Sequence, residues 1–315
     1  MNFLTVTLSE DADIVNENLN EINKIYKVNK LYIVCPQNHK EIFINKLSSK
    51  NYEIINEEDL LGFSEFTSIF DELSSNLTYR EDFKKRLKWY YALILKFFFI
   101  HKFYEENNEN LVIWEGDTII LKKIKFFENY KSIPYCYVTY FHKIYFDVCK
   151  ELLGTLPKYY GSFITQFGSI TKGEANFLFK SLNLENLPNK KFNLLFSKKI
   201  LGAVFKTQSK YDNAMFADYE LIGINKLNQT FQKPIPIFFL RPALDGKLTT
   251  AQKYFAKLFN VNHITYEHRH PNKHSKDMLL RTQTWIRFIK ILPYFYFQFK
   301  FYQLKFNFKY YFKLY

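Results

Sequence analysis

The sequence predicts an α/β fold: a Rossmann-type, mostly parallel sheet flanked by helices, with a helical C-terminal extension. Three observations predict it. The first 55 residues are typical of a β-α-β-α-β unit with short connections, which favours parallel strands covered by helices. Residues 111–114 are apolar after a polar stretch, as in a strand buried on both faces. Residues 278–315 contain seven basic residues and no acidic ones, so the end of the chain differs from the body.

Composition and length indicate a globular body with a basic tail. The chain has 315 residues, 47% hydrophobic and 24% charged, which suits one sizeable domain over residues 1–277. The formal net charge is +13, and subtracting the seven basic residues of 278–315 leaves +6 for the body. The three cysteines stand among apolar residues, which is typical of reduced core thiols in a cytoplasmic protein.

The first half of the chain alternates predicted strands and helices. Strands are predicted at residues 3–8, 31–35, 52–55 and 111–114, and helices at 11–26, 41–47 and about 82–104. The connection after the first strand, residues 9–13, has no glycine. A dinucleotide fingerprint and a P-loop both need glycines there, so neither is expected.

The second half is less regular. Strands are predicted at residues 135–141, 161–165, 235–240 and 263–266, and helices at 144–153, 173–184, 192–205, from 215 onward and 249–259. Residues 1–10 have no basic n-region and are too short and too polar to be a signal peptide. The longest apolar stretch, 89–100, is interrupted by Lys96 and is too short to span a membrane. We therefore expect no integral membrane segment.

The segment Glu115-Gly116-Asp117 follows the predicted central strand. Residues i and i+2 of an extended segment point to the same side, so both carboxylates can face one point. Gly116 leaves room for a close approach to the backbone. Carboxylate oxygens suit Mg²⁺ or Mn²⁺, whose remaining positions a diphosphate can fill. The alternative interpretation is an ordinary acidic turn after a strand.

Basic and acidic residues elsewhere give further candidates. Arg86 and Lys96 lie on the predicted helix before the central strand and can reach a phosphate, or they are simply solvated. Asp218 and Glu220 stand near the start of a later helix, where carboxylates also stabilise the helix dipole.

Several segments, taken in order, resemble a family. They are residues 54–61, the helix from Trp89 to Lys96 leading into Val112 to Thr118, Ser162-Phe163-Ile164-Thr165, and Ala217-Asp218-Tyr219-Glu220. Together they resemble the nucleotide-sugar glycosyltransferases of the GT-A fold, and more narrowly a bacterial glycosyltransferase family known mostly as a domain of unknown function. The resemblance covers about residues 3–225, and nothing past about residue 240 matches. Glu115 and Ala217 depart from the family's usual Asp and Ser.

The resemblance implies a GT-A-like catalytic domain over residues 1–277, with a nucleotide-sugar-binding half at 1–121 and an acceptor half at 122–277. It implies that Asp117 binds Mn²⁺ or Mg²⁺ and that Glu115 contacts the ribose or a metal-bound water. Asp218 or Glu220 would take the proton from the acceptor hydroxyl, with Asp218 preferred, and a retaining outcome stays open.

The family also implies a distal histidine ligand and further phosphate contacts. His268 is the expected metal ligand, and His263 and His270 are its neighbours in the same late region. A surface loop explains this histidine cluster equally simply. Lys96, Arg86 and Arg241 are the expected phosphate contacts, although Arg241 can also pair with a surface carboxylate.

The implied activity is a hexosyltransferase-like transfer from a nucleotide sugar to a bacterial surface glycan, such as lipooligosaccharide or capsule. The aromatic and basic tail suits an anionic membrane surface, at the cytoplasmic face, and a lipid-linked acceptor. Packing on the body or disorder would also explain the tail, and nucleic-acid binding ranks lower because the body has no nucleic-acid motif. The alternative function is a non-enzymatic membrane- or nucleic-acid-associating protein in which Glu115 and Asp117 are structural.

Overall fold

The computed structural model describes residues 1–138, 142–156, 161–207, 214–230, 232–240, 249–266 and 285–312. Side chains within 285–291 and 309–312 lie outside the description.

The first half of the chain builds four sheet strands and the helices that cover them. These elements are β1 (Asn2–Val6), α1 (Ala12–Ile25), β2 (Lys30–Cys35), α2 (Lys40–Lys46), β3 (Tyr52–Asn56), α3 (Phe63–Ser74), α4 (Arg80–Lys84), α5 (Leu87–Glu106) and β4 (Leu111–Trp114). Helix α5 is apolar around most of its circumference, as expected for a helix with packed neighbours on every side.

The second half adds short strands and most of the remaining helices. These elements are β5 (Thr118–Ile120), β6 (Phe127–Glu128), β7 (Lys131–Ser132), β8 (Tyr135–Cys136), α6 (Lys143–Leu153), β9 (Phe167–Ile170), α7 (Lys172–Ser181), α8 (Asn189–Thr207), α9 (Asp218–Thr230), β10 (Ile235–Pro236), α10 (Thr250–Leu258), β11 (His263–Thr265) and α11 (Trp285–Phe312).

The central sheet has five strands in the order β3-β2-β1-β4-β9, and only β9 is antiparallel. Strands β4 and β9 are buried on both faces, whereas the edge strand β3 is only partly buried. In β4, Leu111 and Ile113 pack with α5, α8 and α9, whereas Val112 and Trp114 pack with α1 and α2. The structure therefore confirms the predicted α/β class, the mostly parallel sheet and the doubly buried central strand.

Several predicted elements differ from the structure. The strand predicted at 161–165 is a loop joined to Tyr137 by one bridge, and the strand is β9 instead. The strands predicted at 135–141 and 235–240 shrink to β8 and β10. The chain between β3 and the long helix, where no helix was predicted, contains α3. The length of a strand depends on the buried partners that neighbouring elements provide, and a local apolar pattern does not show which partners those are.

A smaller unit follows the central sheet. Strand β5 continues from the β4 turn and pairs antiparallel with β11. Its apolar cluster joins β5 and β11 to α10 and to Leu292 and Phe299 of α11. The predicted helical extension is thus confirmed as a helix packed on the body. Among the described residues, no helix combines the length and hydropathy that a membrane span requires. The three cysteines are buried free thiols, as predicted.

Candidate functional site

The candidate site lies at the carboxyl edge of the sheet, between β1 and β4. The strand order runs from β1 through β2 to β3 on one side and from β1 to β4 on the other, so the order reverses between β1 and β4. Open α/β sheets bind ligands in the crevice outside such a switch point. Glu115, Gly116 and Asp117 directly follow β4 and therefore stand at this crevice.

The Glu115–Asp117 turn is held on both sides by backbone hydrogen bonds. The N–H of Glu115 donates to the carbonyl of Gln166 at 3.1 Å, and the N–H of Tyr266 donates to the carbonyl of Asp117 at 2.8 Å. The Thr118 N–H closes the turn on the carbonyl of Glu115 at 3.1 Å. The carboxylates of Glu115 and Asp117 are both partly exposed, so they face the crevice from a fixed backbone.

Gly116 is required by a close approach of β1. A Cβ at this position would stand 2.4 Å from Oγ1 and 2.6 Å from Cβ of Thr7. Thr7 in turn donates its hydroxyl hydrogen to Oδ2 of Asp11. The space that Gly116 was predicted to leave is therefore filled by the Thr7 side chain. This contact holds the ends of β1 and β4 together.

Three charged side chains from distant parts of the sequence meet behind the turn. The Lys96 ammonium donates to Oε1 of Glu115 and to Oδ2 of Asp218, the latter at 2.7 Å. The Lys96 side chain is 2% exposed and that of Asp218 is 3% exposed, whereas Glu115 is 23% exposed. Lys96 also lies 4.6 Å from the centroid of the Tyr219 ring. We call Lys96, Glu115, Asp218 and Tyr219 the buried charge cluster.

Burial and the neighbouring charges shift the pKa values of Lys96, Asp218 and Tyr219. Burial alone lowers the pKa of Lys96, but Asp218 and Glu115 outweigh it, so the pKa is raised and the ammonium stays charged. Burial raises the pKa of Asp218 and Lys96 opposes that rise, while Glu115 adds to it. Burial and the two carboxylates raise the pKa of the Tyr219 phenol, which stays neutral.

Helix α5 positions the Asp218 end of the cluster. The backbone N–H of Met215 donates to the Tyr90 hydroxyl at 3.1 Å, and Phe216 packs near Phe97 with ring centroids 6.4 Å apart. Both contacts fix the chain ahead of α9 on the helix that carries Lys96. Helix α9 therefore begins at Asp218, with the carboxylate of this residue beside the Lys96 ammonium.

Glu220 is buried on another side of α9. Its carboxylate accepts hydrogen bonds from the Ser162 hydroxyl and, at 2.9 Å, from the N–H of Phe163. The residue is fully buried, and burial raises its pKa to about 7. Of the two predicted bases, only Asp218 touches the cluster, whereas Glu220 holds the loop before β9 against α9.

Glu220→Gln is expected to stabilise the protein above neutral pH. The pKa of Glu220 rises from 4.5 to about 7 on folding, so its contribution to stability is full below pH 4.5 and is lost as pH rises to about 7. Gln removes this dependence, and above pH 7 the variant should gain about 1–3 kcal/mol of unfolding free energy. Urea unfolding at several pH values measures it.

The control for that measurement is Glu185→Gln, because Glu185 is exposed. Its unfolding free energy should follow the parent at every pH. If Glu220→Gln is destabilised most at high pH, the carboxylate is ionised and favourably bonded, and the burial argument fails.

The other predicted site residues lie elsewhere. Arg86 directly precedes α5, and its guanidinium carbon lies 5.9 Å from the centroid of the Trp89 ring. Arg86 is ten residues before Lys96, which is roughly 15 Å along the helix. His263 is fully buried in β11, and its ring stacks on Phe239 with centroids 4.5 Å apart. Burial lowers the pKa of His263 to about 3, so it is a neutral core residue. His268, His270 and Arg241 lie outside the described residues.

The residues at the turn fit a divalent cation through Asp117. Its carboxylate is a hard oxygen donor, partly exposed, on a turn that backbone hydrogen bonds hold in place. Glu115 is a weaker candidate because the Lys96 ammonium already neutralises one of its oxygens. Within the described residues, no three His, Cys, Asp or Glu side chains group around one point. A cation there would therefore depend on its ligand and water for most of its coordination.

Sequence reasoning missed three contributors to the site. Thr7 contacts Gly116, Gln166 accepts the Glu115 N–H with a left-handed φ of 64°, and Tyr219 covers Lys96. The left-handed backbone at Gln166 has no signal in the sequence, since Gly or Asn is the usual residue there. Tyr219 stood inside a predicted motif, but only its neighbours were assigned roles.

Comparisons with known proteins leave the family open. No protein-family model matches the sequence, and no curated protein matches it. A solved structure of the galactosyltransferase LgtC, with donor and acceptor sugar analogs, aligns with TM-score 0.41 and 11% identity over 93% of this chain and 96% of that one. Mouse xyloside xylosyltransferase 1, in its apo form, aligns with TM-score 0.42 and 9% identity over 86% and 99%. Such loose similarity assigns neither family nor activity, and the bacterial family of unknown function is not confirmed.

Proposed function

We propose that this protein is a glycosyltransferase that transfers a sugar from a nucleotide-sugar donor to a glycan acceptor. The observation that carries the proposal is the position of Asp117, on a fixed and partly exposed turn at the switch point of the sheet, directly in front of the buried charge cluster. The order of motifs that resembles GT-A glycosyltransferases supports it independently.

The donor diphosphate would be bound at the Asp117 side of the crevice. A bound Mn²⁺ or Mg²⁺ would offset the charge that develops on the departing nucleoside diphosphate. Asp117 would hold that cation, and the backbone bonds from Tyr266 and to Gln166 would keep the turn from moving as charge changes. The same bonds orient the Glu115 carboxylate toward the donor, where it can accept a hydrogen bond from a ribose or sugar hydroxyl.

Lys96 would act as a fixed positive charge on the buried side of the Glu115–Asp117 turn. Its ammonium lies between Glu115 and Asp218 and offsets part of their combined negative charge close to a polyanionic donor. The phosphate contact predicted for Lys96 would then be indirect, because its hydrogen bonds go to carboxylates of the chain. Arg86 and Arg241 stay predicted phosphate contacts. Arg86 lies at the start of α5, roughly 15 Å along the helix from Lys96, and Arg241 lies outside the described residues.

Asp218 would take the proton of the acceptor hydroxyl. Its carboxylate is separated from Glu115 only by the Lys96 ammonium, and its pKa is raised above that of an ordinary Asp. Its side chain is 3% exposed, so the acceptor hydroxyl would have to enter the crevice past Glu115 to reach it. Glu220 would serve as a positioning residue, since both of its hydrogen bonds go to the loop before β9.

The finer proposal is a bacterial surface glycan, such as lipooligosaccharide or capsule, as the acceptor at the inner face of the cytoplasmic membrane. It is supported by the acid-free, basic and aromatic end of the chain, which suits a lipid-linked substrate.

Asp117→Asn is expected to abolish metal-dependent nucleotide binding and to reduce turnover at least a hundredfold. A neutral amide keeps the shape of the carboxylate but loses the charge that a cation requires. We would measure thermal shifts with UDP, GDP, CDP and their sugar-linked forms, with and without Mn²⁺, because a ligand of the native state raises the melting temperature.

Asp147→Asn is the matched control, since Asp147 pairs with Lys143 on the surface of α6. It should respond to nucleotide as the parent does. The proposal fails if no nucleotide shifts the melting temperature of the parent, or if the shift persists unchanged in Asp117→Asn. Either result would favour a structural turn in a non-enzymatic protein.

A further inference from the structure

Helix α11 has two apolar faces, and among the described residues only one of these faces packs against the body. The body-facing side chains are Leu292, Phe299 and Phe306, seven residues apart and at most 6% exposed. Phe299 stacks on Phe238 with ring centroids 5.0 Å apart. The heptad spacing keeps these three residues on one side of the helix, so this face holds α11 against the body.

The opposite face is exposed along about four turns. We call it the apolar stripe: Tyr294 at 64% exposure, Phe297 at 68%, Phe301 at 63%, Leu304 at 69% and Phe308 at 55%. The spacing alternates three and four residues, which places all five side chains in one row. The ends of the row are 14 positions apart in the helix, or roughly 21 Å. Isolated exposed apolar residues are ordinary, but a continuous row of this length marks an interaction surface.

We propose that the apolar stripe inserts into the interface of an anionic lipid bilayer. Lys300 and Lys305 flank the stripe, and residues 278–315 contain no acidic residue at all. An amphipathic helix with aromatic residues on one side and lysines at its border lies in the plane of a membrane, with the lysines at the phosphate level. This inference does not depend on the proposed glycosyltransferase activity.

The charge of the helix argues against a second copy as the occupant. A row with alternating spacing of three and four residues is also the seam of a coiled coil. Packing two stripes together would bring the lysines of both helices close, with no carboxylate of either helix to neutralise them. An anionic surface removes that repulsion and accepts the aromatic rings.

The test uses the full chain and vesicles of defined composition. Co-sedimentation would compare phosphatidylglycerol-phosphatidylcholine vesicles with pure phosphatidylcholine vesicles. Phe297→Ser/Phe301→Ser should weaken binding to the anionic vesicles by on the order of tenfold or more, because two exposed rings lose their transfer into the interface. Lys300→Gln/Lys305→Gln should remove most of the preference for anionic over neutral vesicles.

Ile42→Ser/Ile44→Ser is the matched control, since both isoleucines are 40% exposed on α2, and it should bind as the parent does. Circular dichroism would verify that every variant is folded, and every substituted side chain is exposed except that of Lys300, which is half-buried. The proposal is overturned if the parent does not bind anionic vesicles, or if the stripe variant binds them equally well. It is also overturned if the stripe instead mediates a concentration-dependent dimer or binds a single-stranded oligonucleotide while vesicles do not compete.

Discussion

Lys96→Met is expected to lower the free energy of unfolding by about 3–5 kcal/mol and to abolish turnover. The substitution keeps the length of the side chain but removes the charge between Glu115 and Asp218. Asp218 is almost fully buried, so it would lose its counter-ion without gaining water. Glu115 is partly exposed and would recover some solvation, which makes Asp218 the main source of the loss.

The pH dependence separates this cause from poor packing. Without Lys96, the pKa of Asp218 should rise further, because burial and Glu115 already raise it and Lys96 is the main opposing charge. The folded variant then binds a proton that the unfolded chain releases, so its stability deficit should shrink as pH falls. Chemical denaturation from pH 5 to pH 8 measures the deficit.

Two variants test the interpretation. Lys102→Met, on the same helix but partly exposed, should change stability little. Lys96→Met/Asp218→Asn should recover part of the lost stability, since the uncompensated charge is gone. A deficit that is independent of pH and unrelieved by the second substitution would mean that Lys96 acts through its volume alone.

Gly116→Ala is expected to destabilise the protein by about 1–3 kcal/mol and to displace the Glu115–Asp117 turn. The added methyl would meet Oγ1 and Cβ of Thr7 at 2.4 and 2.6 Å, and neither atom is the free end of a flexible side chain. The ends of β1 and β4 must separate to make room. Nucleotide affinity should therefore fall together with stability.

The matched comparisons use other glycines and the contacting residue. Gly202→Ala lies inside α8 with no atom within 4 Å of the added Cβ, so helix propensity should make it neutral or stabilising. Gly116→Ala/Thr7→Gly should recover part of the loss, because it removes the clashing atoms. If Gly116→Ala alone melts at the parent temperature, the close packing of β1 on the turn is not required.

Elements with a strong local pattern were predictable. Short apolar runs predicted β1, β2, β3 and β4, and the order of strands and helices predicted a parallel sheet. Strand β9 was misplaced by a few residues because Ser162 to Thr165 is as apolar as a strand but is held by Glu220 as a loop. Helix α3 was missed although residues 63–74 carry apolar side chains at helical spacing, a local signal that was available in the sequence.

The carboxylates of the turn were also predictable, because Glu115 and Asp117 follow a buried strand one residue apart. The predicted base Asp218 was placed near the start of a helix, but nothing local linked it to Glu115. Lys96 was predicted from its charge to face a phosphate, and its true partners were not foreseen.

The sequence by itself determined the α/β class, the acidic turn after the central strand and the acid-free basic end of the chain. These properties depend on the order and type of neighbouring residues. Only the tertiary structure decided that Lys96, Glu115 and Asp218 form one cluster, since they are 19 and 103 residues apart along the chain. It also decided which face of α11 is covered, because burial depends on what the rest of the chain packs against.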